Sequence, residues 1–124
     1  ADRNPFFSIP VSIIRSRAKL PPPAPGQPGP FSLGADGAIL KLFSDAGFKN
    51  NRCVKIDSPV HMASAKQCVQ FEKDSFGALH QLMNQLSEEE KQSVWNEIEQ
   101  QLTSFEFEEG FTGPCEMIVA VGEK

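Results

Sequence analysis

The sequence predicts an α/β chain that forms part of a larger sheet, and three observations lead there. Helical and strand patterns follow the order helix, connector, helix, strand, helix, helix, strand. Only two strands are predicted, too few for an independent sheet of any size. Yet the last of them, residues 115–122, is apolar on both faces over 117–121, as in a strand inside a sheet rather than at its edge. The expectation is therefore two strands with about four helices around them.

The 124 residues and 13.6 kDa suit one domain, long enough to bury a core. Hydrophobic residues at 40% and charged residues at 23% are ordinary for a globular chain. No apolar run approaches the roughly 20 residues of a membrane span. A net charge of −4 argues against a general nucleic-acid binder, which would show a basic footprint. No secretory signal is expected, because Asp2 and Arg3 lead at once into Asn4-Pro5, and Ala1 in place of Met suggests a trimmed start. Cys53, Cys68 and Cys115 are an odd, sparse set, which predicts a reduced, cytoplasmic chain. With His61 and His80 they make no zinc spacing, so all three are expected as small buried apolar side chains and no metal is expected.

Taken in order, residues 5–16 are apolar and interrupted by Pro10; a short helix is expected, with an apolar side that needs a partner surface. Residues 21–30 read P-P-P-A-P-G-Q-P-G-P, which holds neither a helix nor a central strand. They predict an extended connector, with a proline-rich ligand for an SH3-type partner as the alternative. Residues 1–30, with four basic residues against Asp2, divide from the acidic remainder, 31–124. In 36–46, Ile39, Leu40, Leu42, Phe43 and Ala46 fall at helical spacing, and Gly47 suits the C-terminal cap. Residues 52–57 alternate, with Val54 and Ile56 on one face, and predict a half-covered strand ending near Ser58-Pro59. Ser64 and Gln67 have capping-box spacing and start a helix over 65–86, in which Gly77 marks a kink or break. Ser87 to Glu90 form a second capping box, and Val94, Trp95, Ile98, Leu102 and Phe105 make one stripe beyond it. Residues 106–113 read as an acidic, glycine-bounded loop.

No catalytic constellation stands out: there is no G-x-S-x-G, H-E-x-x-H, G-x-x-x-x-G-K-[ST] or G-x-G-x-x-G after a strand. Gly34 and Gly37 read as a structural cap rather than a phosphate cradle. Glu88, Glu89 and Glu90 read as helix-capping residues, and Glu106, Glu108 and Glu109 as a solvated loop. His61, beyond the first strand, could serve as a general base or a polar contact to a substrate, or be an ordinary surface residue. Ten phenylalanines and no tyrosine make the aromatic inventory apolar. Phe43, Phe48, Phe76 and Phe105 read as core. Phe6, Phe7, Phe31, Phe71 and Phe111 lie beside loops or off the main stripes, where they could line an apolar pocket or pack in the core.

Pro28-Gly29-Pro30-Phe31-Ser32-Leu33-Gly34, then Ile39-Leu40-x-Leu42-Phe43, closing on Ala46-Gly47-Phe48, resembles the region after the fifth strand in class I S-adenosylmethionine-dependent methyltransferases. The likeness is to the small-molecule branch called methyltransferase type 11, or ubiquinone/menaquinone-biosynthesis-like. It extends over about residues 4–122. Asn4-Pro5-Phe6-Phe7 resembles the segment just beyond the fifth strand. Residues 53–57 look like the sixth strand, and 115–122 like the seventh, which in that family is antiparallel and inserted between the fifth and sixth. The helices of 65–105 resemble the insertion that helps to cover the substrate pocket.

The resemblance implies the carboxy-terminal part of a Rossmann-like methyltransferase fold. It implies a parent enzyme in which a nucleophile on a small molecule attacks the sulfonium methyl of S-adenosylmethionine. The glycine-rich cofactor loop, and the acidic residue after the second strand, have no counterpart in this sequence. No cofactor is therefore expected on this chain alone, and no catalytic residue is assigned. The pocket neighbours it implies are Phe6, Phe7, Phe31, His61 and Phe111. The implied partners are the small-molecule methyl acceptor and either the missing amino-terminal half or a second copy. The alternative expectation is a non-catalytic interaction module that uses the proline-rich arm or the apolar helices.

Overall fold

The computed structural model describes residues 2–24 and 27–124. These form five α-helices and two antiparallel sheets, a mixed α/β arrangement. Helix α1 (Pro5–Arg17) tolerates Pro10 and buries it together with Ile14. Its partner surface comes from within the chain, because α1 packs against α4 (Gly77–Leu82) and α5 (Glu88–Leu102). Helix α2 (Ala38–Asp45) ends as its sequence predicts: Ala46 closes the last turn and Gly47 follows at φ +84°, the left-handed conformation that glycine adopts without strain.

The helix expected over 65–86 is two helices, α3 (Ala65–Ser75) and α4. The backbone leaves the helix at Phe76 (φ −107°, ψ 76°), one residue before Gly77. That break makes five helices where four were expected. Ser64 caps α3 by accepting the Gln67 N–H at 3.2 Å, but the Gln67 side chain turns to the Ala63 N–H instead of closing the box. The second capping box is complete: Ser87 Oγ accepts from Glu90 N–H and the Glu90 carboxylate accepts from Ser87 N–H.

Strand β1 (Lys49–Asp57) is longer than predicted and carries a bulge between Lys49 and Arg52. It pairs antiparallel with β5 (Glu116–Glu123). The second sheet was not foreseen. Strands β2 (Val60–Met62), β3 (Glu106–Phe107) and β4 (Gly110–Gly113) lie in the order β2-β4-β3, so most of the expected acidic loop is a hairpin. Its tight turn depends on Gly110, at φ +117°, where a Cβ would stand 2.7 Å from the Met62 carbonyl oxygen. Strands of two to four residues are too short to show alternation, which is why the sequence hid them.

The expected interior position of 115–122 is corrected. Among the described residues β5 pairs with β1 alone and stands at an edge. Register puts Val54 opposite Val119 and Ile56 opposite Met117 on one face, and both pairs, with Val121, are exposed. The other face packs on α2, where Gly122 lies so close to Phe43 and Asn51 that a side chain would collide with them. The hydrophobic core lies away from this ribbon. It joins Ile14 of α1, Ala65, Cys68 and Val69 of α3, Leu79, Met83, the α5 stripe and Phe111. Of the three cysteines only Cys68 is fully buried; Cys53 and Cys115 are half-buried, and all three are free thiols.

Candidate functional site: a cleft between the ribbon and the chain start

A cleft of about 520 Å³ opens where the start of the chain, the segment after the connector and the β1–β5 ribbon meet. Four pieces of chain build it. Asn4 accepts the Glu116 N–H on its side-chain oxygen at 3.1 Å, which ties the start of α1 to the start of β5. Arg3 stands 3.5 Å from the same Glu116 carboxylate. Across the ribbon, Lys55 of β1 donates to Asp36 at 2.8 Å. That hydrogen bond, and then the charge attraction behind it, holds the Asp36 carboxyl below and the Lys55 ammonium above their ordinary ranges. Phe31, Leu33, Ile39 and Met117 supply apolar lining.

Behind the cleft runs a row of aromatic rings. Phe31 meets Phe7 edge-to-face at 5.7 Å between centroids, Phe7 meets Phe76 at 5.2 Å, and Phe76 meets Phe71 at 5.7 Å. These are the offsets at which ring edges and faces attract. The row joins the segment after the connector, α1, the α3–α4 joint and α3.

Of the five residues proposed from sequence as pocket neighbours, Phe31 lines the cleft and Phe7 packs directly on it. Phe6 packs on Gly113 of β4 and against the core. Phe111 is fully enclosed in that core. Its cross-strand partners in register are Met62 on β2 and Glu106 on β3. His61 points from the opposite face of β2 to solvent, its Nδ1 3.2 Å from Thr112 Oγ1. The structure therefore brings Phe7 and Phe31 together and sets Phe6, His61 and Phe111 elsewhere.

Sequence reasoning missed Arg3, Asn4, Lys55 and Glu116 as lining residues. They come from three distant segments, and no local spacing marks them. It also missed Glu72, whose carboxyl is fully buried with neither oxygen hydrogen-bonded. A signal existed for that one: Glu72 lies four residues from both Cys68 and Phe76, on the apolar stripe of the helix.

The cleft is lined by two cations, Arg3 and Lys55, and two carboxylates, Asp2 and Glu116, over an apolar floor. That suits an apolar or aromatic molecule with a polar edge. It offers no paired nucleophile and base. Gly34 and Gly37 precede α2, but no strand leads into them, and Gly37 serves as the helix N-cap at φ +76°. Among the described residues, no helix is long and apolar enough to cross a membrane. Comparisons with protein-family models, with curated proteins and with solved structures give no match.

Proposed function

We propose that this chain is the carboxy-terminal, substrate-side portion of an S-adenosylmethionine-dependent methyltransferase that acts on a small molecule in the cytoplasm. One observation carries the reading. Strand β5 is apolar on both faces and antiparallel to its neighbour, yet among the described residues it is paired along one edge only, with one apolar face uncovered. A strand so composed suits a position between two others, under further helices. The sequence resemblance assigns it that position, with the parent's fifth strand along the open edge. On this reading the cleft beside Phe31 is a wall of the substrate pocket, and the protein's share of catalysis there is positioning. The chain alone is not competent, because its residues do not form the cofactor site.

The test compares two proteins. A longer chain that includes the gene's upstream coding sequence is expected to carry a strand, a glycine-rich loop and a helix, and to bind S-adenosylhomocysteine. The 124-residue chain is expected to show dispersed proton–nitrogen NMR peaks that the same ligand does not move. Saturable shifts in the short chain, or no binding by the longer one, would overturn the reading.

A further inference from the structure

We propose that Glu72 is a proton latch on the α3–α4 joint: its neutral carboxyl keeps the row of Phe71, Phe76, Phe7 and Phe31 closed behind the cleft, and its ionisation releases that row. The inference is independent of the methyltransferase reading.

The geometry begins with burial. Glu72 is wholly enclosed, and both its carboxyl oxygens lack a hydrogen-bond partner. A neutral acid survives in such a place, whereas a carboxylate there has lost its water and gained nothing in return. Burial accordingly pushes its pKa up to about 8. The titratable group that faces it is Cys68, one turn back on α3, whose own thiol is pushed up to about 12, first by burial and then by Glu72. The elements packed on α3 bring apolar side chains: Val94, Trp95, Ile98 and Leu102 from α5, Leu79 from α4 and Met62 from β2. Two basic residues of α3 and α4 have other contacts. Lys73 lies over the Trp95 ring, and His80 Nε2 is 2.8 Å from the Lys73 carbonyl oxygen.

The place of Glu72 in the chain makes it a latch. Its carbonyl accepts the Phe76 N–H at 2.9 Å, the bond that closes the last turn of α3. The helix stops at Phe76, and the space around Gly77 is open, with nothing within 4 Å of where a Cβ would stand. The turn that holds Glu72 is tied to the start of α4, through the Leu79 N–H donated to the Phe76 carbonyl and the His80 ring against the Lys73 carbonyl, so the joint moves as one when that turn swings outward. On ionisation the proton passes to solvent, and the carboxylate gains water only if that turn moves. Phe71 and Phe76 flank Glu72 on the same turn, and Phe76 is the ring on which Phe7 and then Phe31 rest. Opening the turn removes the support of the cleft's aromatic wall.

The experiment titrates the 124-residue chain from pH 6 to 9.5, with carbon-13 in the glutamate carboxyls and in the phenylalanine rings. The expected result is one carboxyl that titrates near pH 8, with ring signals of Phe7, Phe31, Phe71 and Phe76 moving at the same midpoint. Glu72→Gln is expected to abolish the ring transition and leave the rings at their low-pH positions. The proposal is overturned if every carboxyl titrates in the ordinary range, if the rings stay still while the carboxyl ionises, or if Glu72→Gln keeps the transition. Should that variant fail to fold, the wild-type titration decides by itself.

Discussion

Glu72 departs furthest from ordinary side-chain chemistry in this chain, and stability should report it. Burial pushes its carboxyl from the ordinary value of 4.5 up to about 8, so between those values the native state holds a proton that the unfolded state gives up. The contribution is present in full below about pH 4.5. It shrinks as pH rises from there and is gone above about pH 8. Its size is on the order of a few kcal/mol. Urea unfolding of wild type should thus show stability falling across that window. Glu72→Leu, which removes the unpaired oxygens, should flatten the fall and raise stability at pH 7 by about 1–3 kcal/mol. An unchanged pH slope in the variant would show that another group is responsible. The legible part of this residue was its place on a helical stripe. That both oxygens would go unpaired depended on what α4, α5 and β2 bring to the other side.

At the scale of elements, local chemistry explains where helices start and stop. Helix α5 begins at a box that satisfies two free N–H groups at once, with three carboxylates in the first turn where the dipole favours them. The hydrogen bond from the Ser87 backbone N–H holds the Glu90 carboxyl below its ordinary range. Ser87→Ala should cost ~1 kcal/mol in thermal or urea unfolding, the usual loss for such a cap. No measurable change would mean that the core contacts of Val94, Trp95, Ile98 and Leu102 hold the helix start unaided. The break at Phe76 was legible through Gly77. The β2-β4-β3 sheet was not, because each strand forms only when β4 is presented to both neighbours. Gly110, close against the Met62 carbonyl, is where that meeting is tightest.

Across the whole molecule the two halves differ in how completely they are finished. The helices and the hairpin enclose a core, while the β1–β5 ribbon is covered by α2 on one face and left open on the other. Two strands alone are marginal in water, and a patch built from Val54, Ile56, Met117, Val119 and Val121 favours association. The 124-residue chain should therefore self-associate as its concentration rises, and Val119→Lys should suppress this in sedimentation velocity with little change in unfolding. Val119 is 42% exposed, so the lysine has room. If the wild type stays monomeric at high concentration, the open face is not adhesive.

By itself the sequence determined the features that are settled within a few residues of chain: the apolar stripes of α2, α3 and α5, the caps at Ser64 and Ser87, and the turn at Gly47; the alternation of β1 was legible, but its Val54 and Ile56 face, expected to be the covered one, is the open one. It also showed that residues 117–121 carry apolar side chains on both faces, a property of composition alone. Only the tertiary structure decided which neighbours meet. It set Phe111 in the core and Phe31 in the cleft, turned His61 to solvent, joined Arg3 and Asn4 to Glu116, and gave β5 one partner rather than two. The physical reason is that burial and pairing are properties of two surfaces at once, and a local pattern describes only one of them.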